Sequence, residues 1–114
     1  FNRTNSKDLV GKTAVVTDDK PMAIAGYLVR GRANERGDTH YISGYLNSAH
    51  GKAVLRNMCK NIVGMANINA KEFQATPIAI PPVELQRKYA ARASRAALSD
   101  LFSSLQHRAF RGEL

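Results

Sequence analysis

Residues 64–86 read GMANINAKEFQATPIAIPPVELQ, and this stretch decides most of what the sequence predicts about the fold. After a glycine turn, Asn67 or Asn69 can cap a short helix that runs through Glu72. The cap forms because an asparagine side-chain oxygen can accept a hydrogen bond from a free N–H of the first helical turn. The stretch therefore predicts a turn followed by a short helix.

A strand and a stop follow the short helix. The run at 77–80 is short, apolar and β-branched, which is typical of a buried strand. Pro81 and Pro82 then end any pairing, because neither proline has an N–H to donate to a ladder. Pro82 also suits the first turn of a new helix, where a missing N–H costs nothing.

The residues before this stretch predict two further strands and a loop. Residues 13–17 and 23–29 are rich in strand-forming side chains, and the turn signal Asp-Asp-Lys-Pro at 18–21 lies between them. Residues 31–38 are polar and bounded by glycine, which indicates a loop. Helices then follow, so the predicted class is α+β, with a small mixed sheet, short helices and a long C-terminal helix.

Two short helices are predicted after the loop. Residues 41–47 place apolar side chains at helical spacing. Ser48 is a suitable cap for the next helix, and its apolar positions are Ala53, Val54, Met58 and Ile62.

The tail at 83–110 has a helical composition, but its apolar stripe changes phase. One stripe comprises Leu85, Tyr89, Ala93 and Ala96, and the other comprises Leu98, Leu101, Phe102, Leu105 and Ala109. At about 100° per residue the two stripes lie on roughly opposite sides of a straight helix. Either the helix breaks between Ala93 and Leu98, or residues are absent from the chain there. The second stripe needs a partner, so Leu98, Leu101, Phe102 and Leu105 are candidates for a helix–helix interface.

Composition restricts the partners. The chain has 114 residues, which suits one domain or part of one, and its formal net charge is +8. A positive surplus of this size favours a polyanionic partner such as nucleic acid, although a merely soluble basic protein is an open alternative. Cys59 is the only cysteine, which is compatible with a reducing cytoplasm. The sequence contains no apolar run that predicts a membrane span.

Several polar segments are candidates for contact with DNA. Arginine forks suit phosphates and guanine edges, asparagine can pair with adenine, and lysine suits phosphates. The same arginines could be solvated, and the same asparagines could build turns. The candidates are Asn2, Arg3, Asn5, Lys12, Arg30, Arg32, Arg36, Lys60 and Asn61.

The residue patterns predict no metal site and no catalytic centre. His40, His50 and Cys59 match no metal-ligand spacing. Cys59 is expected to be a buried thiol beside Met58. No glycine-rich phosphate loop and no converging carboxylate pair is recognisable, so no cofactor is predicted for this chain.

Three segments in order resemble the DNA specificity subunits of type I restriction–modification systems. The resemblance is carried by PPVELQ at 81–86, by FNRTNS at 1–6 with LVGKTAV at 9–15, and by LFSSLQHRAFRGEL at 101–114. It implies that residues 1–82 are the rear part of a target-recognition domain and residues 83–114 belong to a conserved spacer or dimerisation helix. The family's longer connection between the two helical stripes favours absent residues near 93–98. The abrupt start indicates the C-terminal part of a longer chain that ends with its last recognition domain.

The resemblance implies a non-catalytic, cytoplasmic subunit that reads double-stranded DNA. In that family the subunit directs methyltransferase (modification) subunits, which bind S-adenosylmethionine, and an endonuclease/translocase subunit. A homodimer through the C-terminal helix is a further expectation. Two alternatives stay open: a catalytic fragment of a DNA methyltransferase or nuclease, and a helical assembly module whose positive charge is incidental.

Overall fold

The computed structural model describes residues 1–62 and 65–111, without the side chains of residues 60–62, 97–98, 101–102 and 104–111. Its elements combine a small sheet with helices, so the α+β class is confirmed. In chain order they are β1 (Thr4–Asn5), α1 (Thr39–Asn47), α2 (Ala49–Met58), β2 (Lys60–Ile62), β3 (Met65–Asn67), α3 (Ala70–Gln74) and α4 (Val83–Arg111).

The sheet has the strand order β1-β3-β2, and both of its pairings are antiparallel. A mixed sheet was expected, and for the described strands that expectation is wrong. Asn67 of β3 lies opposite Thr4 on one side and opposite Lys60 on the other. The first strand therefore completes a sheet whose other two strands come from more than 50 residues later in the chain.

Among the described side chains, five buried apolar residues form the core, and they come from the turn after β1, from α1 and α2, and from β3 and the residue after it. They are Val10, Leu46, Leu55, Ala66 and Ile68. Leu46, Leu55 and Ile68 are fully buried, and each such side chain contributes roughly 1.5–3 kcal/mol relative to an exposed position. The core therefore joins the two short helices to β3 and to the turn after β1.

Local side-chain caps explain why the short helices begin where they do. Asp38 accepts from the Tyr41 amide at the start of α1, and Ser48 accepts from the Gly51 amide at the start of α2. Asn69 and Glu72 form a reciprocal capping box at α3. The predictions of a helix at 41–47, a cap at Ser48 and a cap at Asn69 are confirmed. The helix after Ser48 was expected to include Ile62, but it ends at Met58 and Ile62 lies in β2.

Three predicted strands are wrong. Residues 13–17 and 77–80 have no strand pairing, and residues 23–29 contribute only an isolated bridge between Leu28 and Asn2. Strand-forming side chains need a neighbouring strand, and among the described residues none pairs with these runs. At 77–80 three flanking or internal prolines also remove the N–H groups that a ladder would use.

Helix α4 follows the double proline directly and contacts α1. The Pro82 carbonyl accepts from the Gln86 amide at 3.2 Å, so this proline lies immediately before the first helical residue. The helix is continuous through residues 93–98, which argues against the first alternative, a break in the helix. The second alternative, that residues are absent from the chain near 93–98, stays a prediction. The side chains of the interface candidates Leu98, Leu101, Phe102 and Leu105 lie outside the described residues, so the coiled-coil character of α4 stays a prediction.

Candidate nucleic-acid interface

Residues 1–3 form backbone hydrogen bonds with two other segments of the chain, residues 11–12 and residues 27–29. On one side the Asn2 amide donates to the Lys12 carbonyl at 2.9 Å, and the Gly11 amide donates to the Asn2 carbonyl at 2.7 Å. On the other side the Arg3 amide donates to the Tyr27 carbonyl at 3.0 Å. Four of the predicted DNA-binding residues thus lie on adjacent stretches of backbone: Asn2, Arg3, Lys12 and, just after the bridge at Leu28, Arg30.

The asparagines of this region have local structural roles. The Asn2 side-chain oxygen accepts from the Thr4 amide at 3.3 Å, and the Asn5 side-chain oxygen accepts from the Ser6 amide at 2.8 Å. These bonds correspond to the turn-forming alternative. The contact of Asn2 and Asn5 with DNA stays a prediction, because each side-chain oxygen has a second lone pair and each side-chain nitrogen can still donate.

The cationic side chains are more available. Arg3 donates through Nε to the Gly26 carbonyl at 2.9 Å, which fixes its orientation but leaves other guanidinium donors unused. Lys12, Arg30, Arg32 and Arg36 are exposed. The ion pairs of the described residues, Asp8–Arg56 and Asp18–Lys20, use none of these cations.

We call residues 30–36, with their three arginines, the arginine loop; it is anchored near its start by an aromatic ring. A Cβ atom added to Gly31 would lie 2.8 Å from Phe73 Cε1, so only glycine lets the backbone approach this ring without displacing it. Phe73 itself stacks on Phe1, with ring centroids 4.1 Å apart. Arg30 and Arg32 thus flank a residue whose backbone lies against the Phe73 ring. The Val29 amide, just before Arg30, donates to the Phe1 carbonyl at 2.9 Å and holds the start of the loop.

A buried amide anchors the other end of the arginine loop. Gln86, in the first turn of α4, is only 1% exposed. Its side-chain oxygen accepts from the Asp38 amide at 2.8 Å, and its side-chain nitrogen donates to the Arg36 carbonyl at 2.9 Å and the Pro81 carbonyl at 2.8 Å. Together with the turn in which Asn34 accepts from the Arg36 amide at 3.0 Å, these bonds fix the end of the loop.

Gln86 lies in the motif at 81–86, and the sequence predicts no role for its side chain. The sequence carries one signal for such a role, since Val83, Gln86 and Ala90 have the spacing of one helical face. In the structure these three are the more buried positions at the start of α4. A polar side chain on an inward helical face needs partners for all its hydrogen-bonding groups. Those partners are backbone groups, so the sequence could not show which residues supply them.

Two of the predicted DNA-binding residues lie in the sheet. Lys60 and Asn61 are consecutive residues of β2, opposite Asn67 and Ala66 of β3. Their side chains lie outside the described residues, so their proposed contact with DNA stays a prediction. Asn67 does not cap a helix, because the cap of α3 is Asn69.

A shallow groove lies beside the arginine loop. It encloses about 380 Å³ and is open to solvent. The loop contributes Glu35 and Arg36, and the other wall is formed by Ile80, Pro81, Pro82, Val83 and Glu84. Two of the lining side chains are acidic, so this groove is a poorer site for a phosphate than the exposed arginines.

Burial shifts the pKa of three groups in the described part of the chain: the Phe1 amino group, whose pKa it lowers, the Cys59 thiol and the Tyr41 hydroxyl. Burial raises the pKa of the Cys59 thiol, which donates to the Leu55 carbonyl at 3.1 Å. Burial also raises the pKa of Tyr41, and the neighbouring Tyr45 and Tyr89 raise it further. The Tyr41 hydroxyl donates to the Ala79 carbonyl at 2.7 Å, so this tyrosine holds the segment before the double proline against α1.

Within residues 1–62 and 65–111, no group of three or more His, Cys, Asp or Glu side chains is placed to hold a metal ion. None of the described helices has both the length and the apolar character that a membrane span requires.

Comparison with protein-family models, with curated proteins and with solved structures finds no match for this chain.

Proposed function

We propose that this chain contributes to sequence-specific recognition of double-stranded DNA as part of a type I restriction–modification specificity subunit. The observation that carries the proposal is the arginine loop, whose three exposed arginines sit on a backbone anchored at both ends. A fixed backbone reduces the conformational entropy that is lost when the side chains bind DNA. The segments that resemble the family support the identity of the complex.

In this proposal the net charge of +8, including the loop arginines, supplies affinity for phosphates, and contacts from the loop to base edges add sequence choice. Binding of cations to phosphates releases counterions, which gives sequence-independent and salt-dependent affinity. Arginine can also donate two hydrogen bonds to a guanine edge in the major groove, which discriminates between base pairs. Because phosphate contacts are the commoner kind, we assign the loop arginines first to phosphates and only some of them to bases.

The two regions of the chain have different tasks. Residues 1–82 form the rear part of the recognition domain, and residues 83–114 form part of the helical spacer. The spacer is proposed to dock the methyltransferase subunits and the endonuclease/translocase subunit, which carry out the chemistry, and to pair with a second copy of the chain. The subunit itself needs no cofactor in this account, and a cytoplasmic location follows from its partners.

A second candidate function, a helical assembly module, is favoured by the exposed apolar side chains of α4. Leu85 and Tyr89 of α4 are 52% and 46% exposed, and residues 91–96 are all exposed. An exposed apolar stripe on a long helix suits a helical assembly module whose charge is incidental. The two functions differ in one respect: the assembly module has no preference for any DNA sequence.

Selection from a pool of randomised DNA duplexes tests the proposal. The 114-residue chain is immobilised, and bound duplexes are amplified and rebound over several rounds. We expect one short motif to become enriched, and we expect the variant with alanine at Arg30, Arg32 and Arg36 to lose that enrichment. A pool that stays random for the unchanged chain would contradict sequence recognition and favour the assembly module.

A further inference from the structure

We propose that Gln86 is the positioning residue of the arginine loop, and that it sets the loop's geometry for binding a polyanion. This inference rests on the proposed function, and it assigns a role to a residue that would not itself touch DNA. It starts from a simple observation: one fully buried side chain of α4 holds both the last residue of the loop and the residue that caps α1.

The hydrogen-bonding capacity of Gln86 is almost fully used on backbone groups. Its oxygen binds the Asp38 amide, and its two N–H groups have the carbonyls of Arg36 and Pro81 as acceptors. These three groups belong to two segments, residues 36–38 and Pro81, that are more than 40 residues apart in sequence. No other residue type of this length offers one acceptor and two donors from a planar group.

The hydrogen bonds of Gln86 to Asp38, Arg36 and Pro81, which we call the tether, act directly on one of the loop arginines. The carbonyl that Gln86 binds belongs to Arg36 itself, and the next bond, to Asp38, lies two residues further on. Arg30 and Arg32 are held separately, through the contact of Gly31 with Phe73. Loss of the Gln86 bonds would therefore free one end of the loop while the other end stays anchored. Freeing one end disorders Arg36 most and costs binding entropy when the loop must be reordered on DNA.

Because Gln86 lies in the first turn of α4, the same bonds join the loop to the proposed spacer helix. A displacement of the start of α4 would move the Arg36 carbonyl with it. The hydrogen bonds of Gln86 therefore fix the angle between the arginine loop and α4. In the proposed complex, α4 belongs to the spacer that sets the distance between the two halves of the DNA target.

The test uses Gln86→Glu in the full chain, with Gln74→Glu as its matched control. A carboxylate at position 86 can still accept from Asp38, but it cannot donate to Arg36 or Pro81. Gln74 is exposed at the end of α3, so the control makes the same substitution and the same change of net charge without touching the loop. Gln86→Met, paired with Gln74→Met, repeats the comparison without any charge.

Two quantities are measured: binding of a fluorescent duplex as a function of salt, and hydrogen exchange of the Asp38 amide. We expect both Gln86 variants to bind roughly tenfold more weakly than their controls, with a salt slope that is shallower by about 1 because one phosphate contact is lost. We also expect exchange at Asp38 to be slow in the unchanged chain and at least about tenfold faster in Gln86→Met, which has no acceptor for this amide.

The outcomes separate the tether from the proposed function. If the unchanged chain binds and the Gln86 variants bind like their controls, the positioning role is overturned while DNA recognition stands. If the unchanged chain does not bind DNA at any salt concentration, the proposed function fails and the positioning role for DNA fails with it. Fast exchange at Asp38 in the unchanged chain would overturn the tether whether or not a variant folds.

Discussion

Asn47 binds the backbone of Thr13 through two hydrogen bonds, as a neighbouring strand would. The Thr13 amide donates to the Asn47 side-chain oxygen at 3.0 Å, and the Asn47 side-chain nitrogen donates to the Thr13 carbonyl at 2.7 Å. A side-chain amide has the same donor and acceptor as a peptide group, so it can replace one rung of a ladder. It cannot extend that ladder, and the segment after Thr13 has no strand pairing.

Replacing Asn47 by alanine should lower the stability of the chain. Two partly buried backbone groups of Thr13 lose their partners, and at about 0.5–1.5 kcal/mol per bond the expected loss is roughly 1–3 kcal/mol. Urea unfolding followed by circular dichroism measures it. The control is Asn57→Ala on the exposed surface of α2, which should cost much less because alanine favours the helix. Equal losses for the two variants would contradict the proposed role of Asn47.

Replacing Gly11 by alanine should be more damaging. Gly11 has φ +82°, which side-chain-bearing residues rarely adopt, and an added Cβ would collide with the buried side chain of Leu55. Left-handed strain and overpacking together predict a loss of about 2–4 kcal/mol.

The matched control for this substitution is Gly26→Ala. An added Cβ at Gly26 meets no atom within 4 Å, and its φ is not in the left-handed region. Thermal unfolding of the two variants should therefore separate them clearly. A Gly11→Ala chain that melts at the same temperature as Gly26→Ala would show that the turn after β1 is not held against Leu55.

Cys59 should react slowly with alkylating reagents, and its reaction should require a higher pH than an exposed thiol. Burial raises the thiol pKa, Glu72 raises it further, and Lys7 opposes the shift. The thiolate is the reactive form, so the rate of iodoacetamide labelling should rise with pH at a later midpoint in the folded chain than in urea. Cys59 is the only cysteine, so mass spectrometry reports on this one site.

The same shift makes a prediction about stability. A thiol with a raised folded-state pKa holds its proton longer in the folded chain than in the unfolded chain. Its contribution is therefore fully present below the unfolded pKa and is lost as the pH rises from there through the folded pKa. Unfolding in urea should show this loss in the unchanged chain and not in Cys59→Ala. A labelling midpoint that is identical in the folded and unfolded chains would contradict both predictions.

The features that could be predicted from the sequence are those with local causes. Ser48 and Asn69 cap their helices through amides three residues away, and the polar, glycine-bounded composition of residues 31–38 is enough to predict a loop there. The strands were mispredicted because their partners are not local. Val16 and Ile24 have strand-forming side chains but are 62% and 51% exposed, whereas Thr4 forms a strand because Asn67 lies opposite it.

In the candidate site, too, the residues with local signals could be predicted and those with distant partners could not. The arginines of the loop could be found from their residue types, since an exposed cation in a glycine-bounded loop needs no structural context. The anchors could not, because Gln86 binds backbone groups almost 50 residues away and Gly31 approaches a ring that belongs to α3. The turn-forming bonds of Asn2 and Asn5 are local, and the residue types already allow them as an alternative to base contact.

The central claim is that the arginine loop contacts DNA phosphates, and the salt dependence of binding tests it most directly. Binding of a fluorescent duplex is measured by anisotropy from low to moderate salt for the unchanged chain and for two variants. The first variant replaces Arg30, Arg32 and Arg36 by alanine. The second replaces Arg87, Arg92 and Arg95 by alanine. These arginines are exposed on α4, and their replacement removes the same charge as the first variant.

For three phosphate contacts the slope of log affinity against log salt is about −2.7, which means that a fourfold rise in salt weakens binding by roughly 40-fold. We predict that the loop variant loses about this much slope, while the α4 variant keeps a slope close to that of the unchanged chain. Binding by the unchanged chain that does not respond to salt, or an equal loss of slope in both variants, would contradict the claim.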